Sequence, residues 1–275
     1  MFDHTVVAVH FESPYQPLLD SLSELHRLGA RRFTLVDVLR IDDPDDLSED
    51  HRAEARRRLE QKRADLKQAG FEVDIQQPVG FPAPELAKIG RGYGAQLIVL
   101  GSRGEGLLRE FYHGSTVLEL ARQTALPVLM ERIDPNLRTA HGEVFQRPLL
   151  ATDFSKKATA AEALALDIGK AVGRLTVVHV VEDDTTTNGE GRDSMDGFVA
   201  LAKERGIEVD PRIDTGTPDR VIRNIAEKEG NSVVVIGKRG DGNRDVAIGG
   251  TAQGVCRNSP SSVLLVPNEQ GIWVR

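Results

Sequence analysis

Short apolar runs of strand length alternate with stretches of helical periodicity over the first half of the chain. The apolar runs lie at residues 5–9, 33–39, 71–79 and 97–100 and near Val128. The helical stretches lie around 17–28, from the acidic segment 42–50 to about residue 69, around 84–93, and from Gly114 onwards. This alternation of strand and helix predicts an α/β fold in which a parallel sheet carries helices on both faces.

The second half repeats the same order of elements. Its apolar runs lie at 146–152, 175–181, 207–215, 233–236 and 262–266, and an alanine-rich helix is predicted over 158–172. Gly80 and Gly101 recur 136 positions later (216 minus 80; 237 minus 101) as Gly216 and Gly237, so the two halves stay in register there. We therefore predict two tandem domains, 1–134 and 146–275, joined by a linker at 135–145.

A glycine pattern follows the fourth main strand of each half. It consists of a glycine, two residues, a second glycine, nine residues, a third glycine and a hydroxyl residue, and we call it the glycine motif. The first copy is Gly101, Gly104, Gly114 and Ser115, and the second is Gly237, Gly240, Gly250 and Thr251. Glycines let the backbone approach a ligand closely, and a helix N-terminus offers unpaired N–H groups. The motif therefore predicts phosphate binding, although glycines also close ordinary turns.

The glycine motif resembles the nucleotide-binding motif of the universal stress proteins, and the resemblance covers nearly the whole chain. The motif differs from a P-loop, since no Gly-Lys-[Ser/Thr] follows, and from the Rossmann Gly-x-Gly-x-x-Gly pattern. The resemblance implies two doubly wound, Rossmann-like sheets of five strands in the order 3-2-1-4-5. It also implies a pseudo-dimer of the two halves through their final strands, near Val128 and Leu264, with ATP as the bound cofactor.

The first strand of the second half ends in a sequence that resembles the Thr-Asp-Phe-Ser stretch of ATP-binding family members. By this resemblance, Asp153 holds the base and ribose end of the nucleotide, and the backbone of Val180 faces adenine. Aspartate is also a good cap for a helix or a turn, and Val180 also fits an ordinary core position.

The first half keeps the glycine motif but departs from the family pattern at the other end of the site. His10 stands where the second half has Asp153, and Val38 matches Val180. His10 either contacts a base or phosphate, or serves as a capping residue without a ligand. We therefore expect the second half to bind ATP more tightly than the first.

Charged residues inside the motifs are candidates for phosphate and metal contacts. Arg103 and Arg239 lie between the glycines and are suited to neutralising phosphate, and Lys238 adds a charge to the second copy. Asp241 and Asp245 are candidates to hold Mg²⁺ with the phosphates.

Composition and charge narrow the classes of function. The net charge of −7 does not favour a nucleic-acid partner, and the apolar runs are too short to span a membrane. The N-terminus lacks the features of a signal peptide, so a cytoplasmic protein is expected. Cys256 is the single cysteine, and its apolar and small neighbours predict a buried, unreactive thiol.

Catalysis has little support in the sequence, since no metal cluster, nucleophile elbow or kinase motif set occurs. The leading hypothesis is an ATP-binding regulatory protein of the stress response. One alternative is an interaction scaffold with partly degenerate sites, and another is a slow ATPase. A homodimer and an unidentified protein partner are also expected.

Overall fold

A computed structural model describes residues 1–9, 22–103, 115–133, 144–181, 188–240 and 247–268. The strands of the first half are β1 (His4–Ala8), β2 (Arg32–Val36), β3 (Leu39–Arg40), β4 (Glu72–Gln76), β5 (Val79–Gly80), β6 (Leu97–Arg103) and β7 (Val128–Ile133). Its helices are α1 (Leu22–Arg27), α2 (Glu49–Gln68), α3 (Pro82–Gly92) and α4 (Ser115–Gln123).

The described part of the second half repeats this alternation. Its strands are β8 (Pro148–Ala151), β9 (Arg174–Val181), β10 (Glu208–Thr215), β11 (Val233–Gly237) and β12 (Ser262–Val266). Its helices are α5 (Thr159–Val172), α6 (Asn188–Glu204), α7 (Pro218–Glu229) and α8 (Gly250–Asn258). No described helix is long and apolar enough to cross a bilayer.

Ten strands form one sheet in the order β10-β9-β8-β11-β12-β7-β6-β1-β2-β4. Within each half the neighbouring strands are parallel, and the order is 3-2-1-4-5 when only the strands of this sheet are counted. Strands β8 and β12 are buried at every residue, as expected where helices cover both faces of a parallel sheet. The fold predicted from the sequence is confirmed.

The two halves join through their final strands. Strands β7 and β12 pair in antiparallel fashion with Leu129 opposite Leu264, and both side chains are fully buried. Without this pairing, each half would end in an apolar sheet edge with unpaired backbone groups. The predicted contact near Val128 and Leu264 is confirmed.

Two strands of the first half differ from the sequence prediction. The apolar runs 33–39 and 71–79 each divide into a main-sheet strand and a two-residue strand, and β3 pairs with β5 in a separate small sheet. Pro78 has no N–H to donate, so the ladder of β4 does not continue regularly through it. The carbonyl of Pro78 accepts the N–H of Leu39 instead (2.9 Å).

Cys256 lies in α8 and is buried, as the sequence predicts. Burial raises the pKa of its thiol to about 12, an effect that the charge of Arg132 only partly opposes. The reactive thiolate form is therefore scarce near neutral pH.

Basic side chains cross the joint between the halves in both directions. Lys238, directly after β11, donates from Nζ to the carbonyl oxygen of Thr124 at the end of α4 (2.6 Å). Arg132 in β7 donates from Nε to the carbonyl oxygen of Ser259 at the end of α8 (3.0 Å). A cation is favourable at the C-terminal end of a helix. Each half is thus tied to the helix that follows the glycine motif of the other half.

Lys238 also makes the joint sensitive to alkaline pH. Its side chain is buried, and burial lowers the pKa of its ammonium from 10.5 to about 8, with the charge of Arg239 adding to the effect. Between these two values the unfolded chain binds more protons than the folded chain. The burial cost of the charge is therefore present in full below about pH 8 and is relieved as pH rises toward 10.5.

We expect Lys238→Met to stabilise the chain relative to wild type most at neutral pH, and less as pH rises from about 7 to about 10. The measurement is urea unfolding of both proteins across this pH range. Lys203→Met, at an exposed lysine of α6, is the control and should show no such trend. If the difference in free energy of unfolding between wild type and Lys238→Met stays constant with pH, this explanation of Lys238 is wrong.

Candidate nucleotide site in the second half

A cavity of about 430 Å³ lies beyond the carboxyl ends of the second-half strands. Strands β8 and β11 are neighbours in the sheet although β9 and β10 separate them in sequence, so the strand order reverses at this point. Ligands of open parallel sheets bind at such a switch point. Eight second-half residues predicted from the sequence line this cavity: Asp153, Val180, Gly237, Lys238, Arg239, Gly240, Gly250 and Thr251.

The loop after β8 places Asp153 at the mouth of the cavity. Asp153 is exposed, and its Oδ1 accepts the N–H of Ser155 (3.0 Å), so the carboxylate caps a turn. Phe154 has a φ of 55°, a left-handed conformation that costs a residue other than glycine about 1–2 kcal/mol. Its ring lies near those of His179 and Phe198, with centroid distances of 5.4 and 6.2 Å. This contact is the turn-capping role that the sequence allowed for Asp153.

Asp153 also meets the second glycine of the motif across the cavity mouth. A Cβ built on Gly240 would lie 2.3 Å from Asp153 Oδ2, far inside contact distance. Lys157 donates from Nζ to the carbonyl oxygen of Gly240 (3.1 Å) and so joins the same two loops. A side chain at position 240 would therefore have to displace the exposed Asp153 carboxylate.

The opposite side of the cavity is the start of α8. The helix begins at Gly250 without a side-chain cap, and the first N–H groups of any helix lack partners within it. A Cβ built on Gly250 would have nothing within 4 Å, so this glycine faces open space. Beside it, Nε of Arg239 is buried with no hydrogen-bond partner among the described residues. An unpaired cationic donor next to a helix N-terminus favours an anionic ligand.

An apolar wall completes the cavity, and sequence reasoning found only part of it. Val180 is half-buried at the end of β9, while Pro218 and Ile222 contribute the first turns of α7. Pro218 and Ile222 were not assigned to the site from the sequence. The four-residue spacing from Pro218 to Ile222 on one helix face was the available signal.

Lys238 lines the cavity, and its place in the motif suggested a phosphate-neutralising charge. Its Nζ donates to the carbonyl oxygen of Thr124 in the first half, so its role toward a phosphate stays a prediction. Lys157, which the sequence analysis did not select, brings an ammonium to the glycine loop.

The first-half site lies only partly within the described residues. Gly101 pairs with Glu131 in the sheet, Arg103 ends β6, and Ser115 begins α4. The strand registers make Val38 equivalent to Val180, and Val38 is buried. Three predicted residues lie outside the described part of the chain: His10, Gly104 and Gly114.

The metal prediction stays a prediction. Asp241 and Asp245 lie outside the described residues. In the part of the chain that the structure describes, no group of three or more histidine, cysteine, aspartate or glutamate side chains is placed to hold a metal ion.

The fold and the site define a tandem, doubly wound α/β protein with a cavity of mixed polar and apolar lining at the switch point of its second half. The family model of the universal stress proteins matches residues 1–132 and 145–267. The chain therefore belongs to the universal stress protein family, as the glycine motif predicted.

Individual relatives are distant. A stretch of 77 residues is 32% identical to universal stress protein MJ0577 of Methanocaldococcus jannaschii, and it covers 28% of this chain and 48% of that protein. The match thus spans about half the length of this curated relative.

Solved structures support the fold over the whole chain. A universal stress protein of Archaeoglobus fulgidus DSM 4304 superposes with a TM-score of 0.81 at 22% identity, covering 98% of this chain and all of that one (100%). A putative universal stress protein of Pseudomonas aeruginosa UCBPP-PA14 has a TM-score of 0.68 at 19% identity, covering 97% and 93%. At these identities the likeness concerns the fold.

The two glycines of the second motif allow folding and ligand binding to be tested separately. We expect Gly250→Val to fold with a stability within about 1 kcal/mol of wild type, because its side chain enters open space. The same side chain occupies the cavity beside the start of α8, so ATP binding should weaken by about tenfold or more. Calorimetric titration with ATP and thermal unfolding measure the two effects.

Gly240→Val is the matched variant, and we expect it to lower both stability and ATP affinity, because its Cβ collides with Asp153. Gly197→Val in α6 is the control, since a Cβ there has no neighbour within 4 Å and the residue lies away from the cavity. Normal ATP binding by a folded Gly250→Val chain would contradict the assignment of the cavity.

Proposed function

We propose that this chain binds ATP in the second-half cavity and acts as a nucleotide-dependent regulatory module of the stress response. The observation that carries the proposal is the meeting of two loops at one cavity. The glycine motif supplies backbone approach and a helix N-terminus, and the β8 loop supplies Asp153.

The residues present fit an adenine nucleotide at both ends. At one end, the open space at Gly250, the start of α8 and the unpaired Nε of Arg239 suit a polyphosphate. At the other end, Val180, Pro218 and Ile222 form an apolar wall of the kind that takes a planar base. Asp153 is the acceptor available to the ribose hydroxyls or the base. Bound ATP would supply the signal, and hydrolysis is not part of the proposal.

The first-half site is proposed to be the weaker of the two, since His10 replaces the aspartate. Partner proteins, a homodimer beyond the joined halves, a cytoplasmic location and a bridging Mg²⁺ stay expectations from the sequence. The scaffold and slow-ATPase alternatives are outcomes of the experiment that follows.

Nucleotide content and selectivity test the proposal. Small molecules released from the purified, denatured chain are identified by mass spectrometry. The nucleotide-free chain is then titrated with ATP, GTP, inorganic triphosphate and cAMP, the last being the ligand in one solved universal stress protein structure. We expect ATP to bind at least about tenfold more tightly than GTP, because a site that hydrogen-bonds its ligand discriminates strongly. No binding of any nucleotide would favour the scaffold, and steady phosphate release from ATP would favour the ATPase.

We expect Asp153→Ala to weaken ATP binding more than His10→Ala does. Losing a charged hydrogen-bond acceptor for the ligand costs about 1.5–3 kcal/mol, which is about tenfold to 150-fold in affinity. Calorimetry of the two single variants of the full chain makes the comparison. An equal or larger loss in His10→Ala would show that the sites do not differ as proposed.

A further inference from the structure

We infer that Glu162 is a positioning residue for the Asp153 loop, acting through Thr152 without touching the ligand; this inference rests on the proposed function. Glu162 lies in α5 and does not line the cavity, whereas Thr152 and Asp153 do. The link between them is a chain of two hydrogen bonds that ends at the N–H of Phe154.

The direction of each hydrogen bond follows from the groups involved. The hydroxyl of Thr152 has one hydrogen, and it donates to Oε1 of Glu162 (2.6 Å). The same hydroxyl oxygen is then oriented to accept the N–H of Phe154 (2.9 Å). A carboxylate is an obligatory acceptor, so Glu162 fixes which way the Thr152 hydroxyl points and keeps its lone pairs toward Phe154.

The backbone needs this support because Phe154 is left-handed, with a φ of 55°, and is the one residue other than glycine with a positive φ among those described. Such a conformation persists where the surroundings over-determine it. Thr152 is held on two further sides. Its N–H donates to the carbonyl of Val178 (3.0 Å), and its carbonyl accepts from Nδ1–H of His179 (3.0 Å). With Thr152 fixed, the turn at Phe154 sets where the Asp153 carboxylate lies.

The Asp153 carboxylate lies close to the backbone of Gly240, with Oδ2 2.3 Å from the place where a Cβ on that residue would stand. A loop that relaxed away from the left-handed turn would move this carboxylate relative to the glycine motif. The glycine motif would then still be in place for the ligand, but the Asp153 loop would not.

Burying the carboxylate of Glu162 costs free energy that a purely structural side chain would not require. Burial raises the pKa of its carboxyl above the ordinary value, the Thr152 hydroxyl opposes that change, and the charge of Asp153 adds to it. An apolar side chain at this half-buried place would avoid the cost of burying a carboxylate. The bond to Thr152 is what such a replacement would lose.

Four single variants and one double variant of the full chain test the inference by calorimetry with ATP and with inorganic triphosphate. Glu162→Leu removes the acceptor and should weaken ATP binding about tenfold. Glu162→Gln keeps an acceptor oxygen and should stay close to wild type. Thr152→Val removes the link from its other end, and adding Glu162→Leu to it should cost little more. Asp167→Leu, at an exposed carboxylate of the same helix, is the control.

The affinity for triphosphate distinguishes a loss of positioning from general damage to the fold. It contacts the glycine motif without the Asp153 end, so its affinity should not fall in Glu162→Leu. A folded Glu162→Leu chain with wild-type ATP affinity would overturn the inference. So would an equal loss of ATP and triphosphate binding, or a Gln variant as weak as the Leu variant. If Glu162→Leu does not fold, Thr152→Val gives the same comparison.

If the wild-type chain binds no ATP, the proposed function is wrong. The positioning role of Glu162 is then tested by the structure of a variant. A crystal structure of Glu162→Leu, or of Thr152→Val, should then show Phe154 outside the left-handed region and the Asp153 carboxylate moved from Gly240. Phe154 retained at positive φ would overturn the positioning role by itself.

Discussion

The antiparallel pairing of β7 with β12 is the constraint on which the arrangement of the chain depends. It covers the two apolar edges that the halves would otherwise expose and makes one sheet of ten strands. Because the helices after both glycine motifs end near this joint, Lys238 and Arg132 reach across it to helix ends of the opposite half. The glycine motif of the second half is thereby in direct contact with the first half.

The second-half cavity is shaped by two loops that hold each other. The β8 loop meets the glycine motif through Asp153 and Gly240, and Lys157 bonds to the Gly240 carbonyl. A site in which such groups are already in place spends less binding free energy on ordering them. A side chain at position 240 would meet the Asp153 carboxylate, whereas a side chain at position 250 would enter open space. The two glycines look equivalent in the motif, and the structure separates their roles.

The sequence predicts the fold well because its periodicities are strong and occur twice. Alternating apolar runs give the parallel sheet, and the constant spacing from Gly80 to Gly216 and from Gly101 to Gly237 gives the repeat. The strand boundaries that the sequence predicted wrongly are explained by single residues. Pro78 lacks the donor that a continuous ladder needs, so the two predicted strands that pair there each divide in two. Most of the second-half residues that line the cavity could be selected because the motif and the Thr-Asp-Phe-Ser stretch are local in sequence, whereas Val180 was selected by the family resemblance.

Other parts of the site depend on contacts between distant residues, which no local pattern encodes. Nothing in the motif indicates that Lys238 turns toward Thr124, more than a hundred residues away in sequence, while Lys157 turns toward Gly240. The link from Glu162 to Thr152 likewise appears only when α5 packs against β8. The most direct measurement of the central claim is a crystal structure of the full chain grown with ATP. The account predicts adenine beside Val180 and phosphates at Gly240 and Gly250. A cavity without nucleotide at saturating ATP, or ATP bound elsewhere on the chain, would contradict it.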